Sequence, residues 1–283
     1  MHSFESDGDL RLLVWQRVRE FAVPPLMIET ATARRVAGDW AGACAAARVD
    51  VDVDLREVRR VHGHELAAQV RTDLRHLAPD LLRWHLPRGG PDGLLRPGLT
   101  VALAGYRSSA ARYRSGGGLV QLVARTAPAW ADAGQRISLA LWDGSPSGAG
   151  AHPHPRPDRR FRFDLHRPLW DARHAHELRE RAGVADWAGT GPGGLGAVHR
   201  WAAEAELLRA ADGCHGATVA VRAGGRYFGL DPGSTTPRVL PRPDRTLPLL
   251  PDAATRVLPD LELLHHGLVT ADRLHPLVAA ALL

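Results

Sequence analysis

Arginine, serine, tyrosine and glycine are concentrated in one short segment, YRSSAARYRSGGG, which runs from Tyr106 to Gly118. Arginine side chains, serine hydroxyls and glycine backbone amides bind phosphate in proteins, and a tyrosine ring can stack on a base. We therefore predict a site for nucleic acid or another polyanion. A solvated loop between two strands is the alternative interpretation. The predicted binding residues, including a basic run further along the chain, are Tyr106, Arg107, Arg112, Tyr113, Arg114, Arg159, Arg160 and Arg162.

Histidines form a second candidate site. His152 and His154 lie two residues apart in a loop rich in proline, and His166 and Asp171 follow. Together these side chains are candidate ligands for a divalent metal, and such a metal would suit a phosphoester hydrolase. The alternative interpretation is a polar linker stiffened by prolines. Apart from this metal, the sequence predicts no cofactor.

Two further segments repeat a His-x-His-Glu pattern, one from His62 to Glu65 and one from His174 to Glu177. Both lie in sequence that we predict to be helical. In a helix, residues two apart point about 200° apart, so one metal ion cannot bind both histidines. Histidine and glutamate three residues apart are neighbours on a helix, and we expect ion pairs or hydrogen bonds at the surface.

A glycine-rich segment, Gly189 to Gly194, matches the dinucleotide-binding pattern G-x-G-x-x-G. That pattern requires a buried strand immediately before it, and the preceding sequence is typical of a helix end instead. Pro192 also removes one backbone N–H donor from the segment. We therefore expect a loop between helices here.

All 36 basic side chains are arginine, because the chain contains no lysine. This excludes pyridoxal enzymes, class I aldolases, Walker A nucleotide hydrolases and protein kinases, which all need a lysine. Arginine, alanine, glycine and proline are favoured by GC-rich genomes. A basic isoelectric point is therefore weak support for nucleic-acid binding in this chain.

The positive charge is unevenly distributed along the chain. Residues 1–90 are neutral, residues 91–175 carry a net charge of +6, and residues 176–283 carry −1. The stretch from residue 93 to residue 131 contains five arginines and no acidic residue. The charge distribution therefore favours a polyanion site in the middle third of the chain.

Hydrophobic periodicity and turn residues predict the elements that would position these side chains. Breaks are expected at Gly38, near Gly63 and at Pro79, since glycine and proline interrupt helices. The alternating run VDVDVD from residue 49 fits a short strand or an acidic lead into the next helix. We predict helices over 9–23, 30–47, 54–86, 169–182, 197–211 and 270–283, and strands over 99–104, 119–124, 137–142, 217–222 and 226–230.

These elements predict an α+β fold, with a helical N-terminal region followed by a mixed or antiparallel sheet with flanking helices. The strand spacing is too short for regular βαβ units. We place the boundary between a helical region over 1–90 and an α+β domain over 91–283. The second region includes a proline-rich segment over 232–259, expected to run extended over the surface, and an apolar C-terminal helix.

Three functions remain open from the sequence. The first is a non-catalytic binding protein for a polyanion, most simply nucleic acid. The second is a component of a larger complex that docks a protein partner through the proline-rich segment and the C-terminal helix. The third is the metal-dependent hydrolase. Two cysteines, no apolar run of membrane-spanning length and an acidic N-terminus predict a cytoplasmic protein with no membrane partner.

Overall fold

The computed structural model describes residues 2–107, 118–131, 135–144, 152–186, 196–242, 244 and 246–283. The fold is α+β, as predicted, with helices at the N-terminus followed by a mixed sheet. None of the helices in these ranges is both long and apolar enough to cross a membrane.

The N-terminal part is built of helices that end at the predicted breaks. Pro24 and Pro25 separate α1 from α2, and Gly63 separates α4 from α5 with a φ of 94°, which favours glycine. Asp39 and Asp54 cap α3 and α4 by accepting hydrogen bonds from backbone N–H groups. The elements are α1 (His2–Phe21), α2 (Pro25–Val36), α3 (Trp40–Ala46), β1 (Val49–Asp52), α4 (Leu55–His62), α5 (His64–His76) and α6 (Pro79–His85).

A short hairpin and the main sheet follow. The hairpin pairs β2 (Arg88–Gly89) with β3 (Leu94–Leu95). The main sheet contains β4 (Thr100–Arg107), β5 (Leu119–Thr126) and β6 (Ile137–Trp142) in the order β1-β6-β5-β4. Strand β1 is parallel to β6, whereas the other pairs are antiparallel. The VDVDVD run therefore forms a strand, and it joins the predicted region 1–90 to the sheet of the following region.

A smaller, antiparallel sheet contains β7 (Val219–Ala223), β8 (Arg226–Leu230) and β9 (Arg238–Leu240). Helix α8 (Trp201–Asp212) packs against it. Trp201, Leu208, Val221 and Phe228 belong to the hydrophobic core between them. This smaller core is distinct from the main core, which includes residues of α5, α6 and the main sheet.

The predicted helix over 169–182 is wrong over most of its length. The chain forms 3-10 turns at Arg167–Leu169 and Ala175–Glu177, and only α7 (Leu178–Arg181) is α-helical. The Asp171 carboxylate accepts a hydrogen bond from the backbone N–H of Arg173, two residues later. This local turn competes with a regular helix.

The proline-rich segment is not confined to the surface, contrary to the prediction. Its second half lies in the cores, with Leu249, Leu250, Ala254 and Val257 buried. The backbone N–H of Leu250 donates to the carbonyl of Ala220 in β7. Apolar residues between the prolines thus anchor the segment, which contains α9 (Asp252–Thr255) and leads to α10 (Pro259–His265).

The C-terminal helix is shorter than predicted. Helix α11 (Pro276–Leu282) begins at Pro276, and the His275 side chain caps it by accepting from the backbone N–H of Leu277. The apolar face of α11 belongs to the main core, where Val278 and Leu282 are buried. The chain therefore covers this face itself.

Candidate functional site

The predicted polyanion segment lies only partly within the described residues. Tyr106 lies on β4 with 4% of its surface exposed, and its hydroxyl donates to Asp73 Oδ2 at 2.8 Å. Burial and the Asp73 carboxylate raise the pKa of Tyr106. Its ring is packed in the main core, so base stacking would require it to leave that core. Arg107 is exposed at the end of β4. Arg112, Tyr113 and Arg114 lie outside the described residues.

The second basic run is paired with acidic side chains. Arg160 forms an ion pair with Asp158 at 2.6 Å. Arg162 pairs with Asp164 and Asp212, each at 2.7 Å. Arg159 and Arg160 border an open depression that also contains the acidic residues Asp158 and Asp244. The charges of Arg160 and Arg162 are therefore balanced within the protein.

The three predicted metal ligands are separately engaged. His152 donates from Nε2 to the Thr126 carbonyl at 3.0 Å, and its Nδ1 accepts from the backbone N–H of His154. His166 donates from Nδ1 to the Arg162 carbonyl and lies 3.2 Å from the Glu204 carboxylate. Over the described ranges, no three His, Cys, Asp or Glu side chains converge in a group that could hold a metal ion.

A cleft of about 650 Å³, which His166 helps to line, lies where the N-terminal helix, the β2 hairpin and two segments of the C-terminal half meet. Much of its wall is apolar, with Trp15, Phe161, Phe163 and Val257 among its residues. Asp252 is the only acidic residue among the described lining residues. The lining arginines are Arg11, Arg19, Arg88, Arg96, Arg181, Arg200 and Arg256.

Several of these arginines already have carboxylate partners. Arg11 pairs with Glu262, Arg181 with Glu204, and Arg256 with Asp252. Arg19 is the most enclosed, and its Nε and Nη2 atoms donate to both Asp260 oxygens at 2.9 and 2.6 Å. In contrast, Arg88, Arg96 and Arg200 form no ion pair with a carboxylate of the described residues. Arg96 lies over the Phe161 ring and its charge acts on Asp158, whereas Arg88 and Arg200 each keep a buried Nε without a hydrogen-bond partner.

Arg88 lies on β2 and lines the cleft. It donates only to backbone carbonyls, those of Arg83 and Gly93, and its Nε is buried without a hydrogen-bond partner. Burial lowers the pKa of Arg88 to about 9, and the positive charges of Arg19 and Arg83 contribute. At neutral pH the group is still cationic, so the protein holds a half-buried positive charge, with a buried Nε, that has no counter-ion among the described residues.

Arg200 precedes α8 and also lines the cleft, with 8% of its surface exposed. Its Nη2 donates to the carbonyls of Ala253, Ala254 and Arg256 at 3.0–3.4 Å, and its Nε has no partner. Burial lowers its pKa, while the charge of Glu204 acts in the opposite direction. Glu204 is already bound by two nitrogens of Arg181.

His85 contributes an acceptor near Arg88. Its Nδ1 donates to the Leu169 carbonyl at 3.2 Å, and its Nε2 has no hydrogen-bond partner. Burial lowers the pKa of His85 to about 4, so the ring is neutral near pH 7 and Nε2 carries a lone pair. The nearest carboxylate oxygen, in Asp260, is 4.0 Å away. Besides its N–H donors, the cleft thus offers a neutral acceptor at His85.

Glu204 should make the stability of the protein depend on acid pH. Burial alone would raise its pKa, but the hydrogen bonds and charges of His166 and Arg181 lower it from 4.5 to about 2. A depressed pKa adds stability above the value of the unfolded chain, and this stability is lost as the pH falls through the folded pKa. We expect the wild type to lose roughly 3 kcal/mol from this group as the pH falls from about 5 to about 2.

Urea unfolding of the wild type and of Glu204→Gln across this pH range tests the expectation. The glutamine side chain cannot ionise, so the free energy of unfolding of the variant should fall less steeply with acid. Equal slopes for the two proteins would contradict the role assigned to Glu204.

The sequence pattern missed this cleft because its arginines come from distant segments and form no local motif. One signal was present: Arg88 opens the loop RGGPDG, in which glycines bring the backbone close to a cavity. No known protein family, curated protein or solved structure matches the chain.

Proposed function

We propose that this chain is a binding protein for a small anionic molecule, which it holds in the arginine-lined cleft. The observation that carries the proposal is the buried Nε of Arg88, a cationic donor without a hydrogen-bond partner, in a guanidinium group that forms no ion pair with a carboxylate of the described residues. A bound carboxylate or phosphate would supply both at once.

The energetic cost of leaving Arg88 as it is supports a ligand. A buried charge without a partner destabilises a protein by several kcal/mol, and buried charges are therefore normally paired. Arg19 in the same cleft shows the usual solution, because it is bound through two atoms by Asp260. An anion from solution would play the same part for Arg88 that Asp260 plays for Arg19.

The dimensions of the cleft favour a small molecule over a nucleic-acid strand. Sites for small ligands occupy about 300–1,000 Å³ and are largely apolar, with few polar groups that fix the orientation. The cleft has about 650 Å³ and matches this description. Binding of nucleic acid through Arg107, Arg112 and Arg114 remains an alternative outcome of the experiment below.

The test measures binding of octanoate and inorganic phosphate to the wild type and to Arg88→Met by calorimetry. We expect the affinity for octanoate to fall at least about tenfold in the variant, because a charge-assisted hydrogen bond contributes about 1.5–3 kcal/mol. Arg59→Met is the matched control, since Arg59 is exposed on α4 and does not line the cleft.

Stability of the unliganded variant separates binding from a structural role. Replacing a charge that has no counter-ion with an apolar side chain removes the cost of desolvating that charge, so the melting temperature of Arg88→Met should be equal to or above that of the wild type. A marked decrease would assign Arg88 to the fold instead. Binding of a single-stranded oligonucleotide by a protein that ignores both small anions would overturn the proposal in favour of the arginine-rich segment.

A further inference from the structure

Arg88 and Arg200 both line the cleft, and neither forms an ion pair with a carboxylate of the described residues. Arg88 and Arg200 each donate to backbone carbonyls, and each keeps a buried Nε with no partner. A single carboxylate or phosphate at one of them leaves the other uncompensated. We propose that the ligand is a dianion with an apolar middle, one anionic group binding at Arg88 and the other at Arg200; this inference rests on the proposed function.

The two guanidinium groups lie in separate surroundings. The charges that act on Arg88 are those of Arg19 and Arg83, whereas those that act on Arg200 are Glu204 and Arg181. Arg88 extends from the β2 hairpin next to α6, and Arg200 lies beside Trp201 of the smaller core. One anionic group therefore does not serve both arginines.

Two chain segments connect the surroundings of Arg200 with those of Arg88 and so limit the distance between them. In the first, the Leu165 carbonyl accepts from Arg181, whose charge acts on Arg200, and the Leu169 carbonyl accepts from His85, three residues before Arg88. Four residues span at most about 14 Å when extended. The second segment also covers four residues and has the same maximum length. In it, the Arg256 carbonyl accepts from Arg200, and Asp260 accepts from Arg19, whose charge acts on Arg88.

The walls along these segments are apolar. Phe163, Leu169, Val257 and Leu258 line the cleft, and the first three belong to the buried main core. A methylene chain or an aromatic ring placed there is removed from water, which favours binding in proportion to the buried apolar area. The chemistry that fits both ends and the middle is an α,ω-dianion of intermediate length.

The experiment compares dicarboxylates of increasing length, succinate, adipate, suberate and sebacate, with octanoate, which matches suberate in carbon number but has one charge. We expect the dissociation constant to pass through a minimum at intermediate length. Suberate should bind the wild type at least about tenfold more tightly than octanoate. This length series needs no variant, so it does not depend on the folding of any mutant.

Two variants assign the ends. Arg88→Met and Arg200→Met should each reduce suberate binding to the level of octanoate. Arg200 also donates hydrogen bonds to three backbone carbonyls, so Arg200→Met could disturb the fold. Arg200→Lys is therefore included as a variant that keeps the charge. It should retain part of the higher affinity for suberate over octanoate.

The outcomes separate this inference from the proposed function. Equal affinities for suberate and octanoate, or an affinity that rises with length without a maximum, would overturn the dianion inference. The proposed function would then still stand, provided that octanoate binding depends on Arg88. If no anion in the series binds, both the dianion inference and the proposed function are contradicted.

Discussion

Replacing Asp260 with asparagine is expected to lower the free energy of unfolding by about 3–5 kcal/mol, the usual cost of removing one partner of a buried ion pair. Asp260 is fully buried and accepts from Arg19 and from the indole N–H of Trp84 at 3.0 Å. Burial alone would raise its pKa, but the charge of Arg19 and the hydrogen bonds from Arg19 and Trp84 outweigh burial and lower it, so the group is ionised. Asparagine leaves the Arg19 charge uncompensated beside the Trp84 ring. Urea denaturation measures the loss.

A surface ion pair supplies the control. Asp50 pairs with Arg136, but about half of each side chain is exposed, so Asp50→Asn should cost less than about 1 kcal/mol. The double variant Arg19→Met, Asp260→Asn should recover part of the lost stability. It also removes the buried Arg19 charge, which the single variant leaves without a carboxylate partner. An Asp260→Asn protein within about 1 kcal/mol of the wild type would show that Arg19 finds another partner.

The fold class could be predicted because its signals are local. Gly63 and Pro79 interrupt helices through their own backbone chemistry, wherever they occur. The strands over 99–104, 119–124 and 137–142 are confirmed, since short apolar runs between turn residues form buried strands. The alternation of valine and aspartate from residue 49 leaves a strand and a lead into the next helix both open, and the structure shows both: Val49–Asp52 pair with β6, and Asp54 caps α4.

The incorrect predictions have tertiary or side-chain causes. The helix predicted over 169–182 has a suitable apolar pattern, but the Asp171 carboxylate bonds its own neighbouring backbone. Proline content suggested a surface path for residues 232–259. Proline content does not indicate the backbone hydrogen bond from Leu250 to the Ala220 carbonyl of the smaller sheet. Such contacts join residues far apart in sequence, and composition carries no information about them.

The candidate site depends even more on contacts that composition does not reveal. Counting arginines by segment treated Arg160 and Arg162 as available charges, although Asp158 and Asp164 stand two residues from them and form the ion pairs. These neighbouring carboxylates are visible in the sequence and argue against a polyanion site in that segment. Whether Arg88 has a partner is a property of the folded chain alone, because its surroundings come from α1, α6 and the β2 hairpin.

Gly196→Ala is expected to lower the free energy of unfolding by roughly 2–5 kcal/mol, since strain and overpacking each cost about 1–3 kcal/mol. Gly196 has a φ of +75°, and a Cβ atom there would lie 2.2 Å from the carbonyl oxygen of Thr255. The neighbouring Ala197 N–H binds the same oxygen, so the backbone at Thr255 cannot move away without breaking that bond. Thermal and urea unfolding measure the effect.

Gly213→Ala isolates the steric part of this effect. Gly213 has a φ of +67°, close to that of Gly196, but a Cβ atom there meets nothing within 4 Å. It should therefore cost only about 1–2 kcal/mol, the price of the left-handed conformation. Because Arg200 is held by carbonyls on either side of Thr255, Gly196→Ala should also weaken suberate binding, whereas Gly213→Ala should not. Equal losses of stability in the two variants would show that the Thr255 backbone shifts at little cost to make room for the Cβ atom. The hydrogen bonds around Arg200 would then not hold this part of the cleft rigidly.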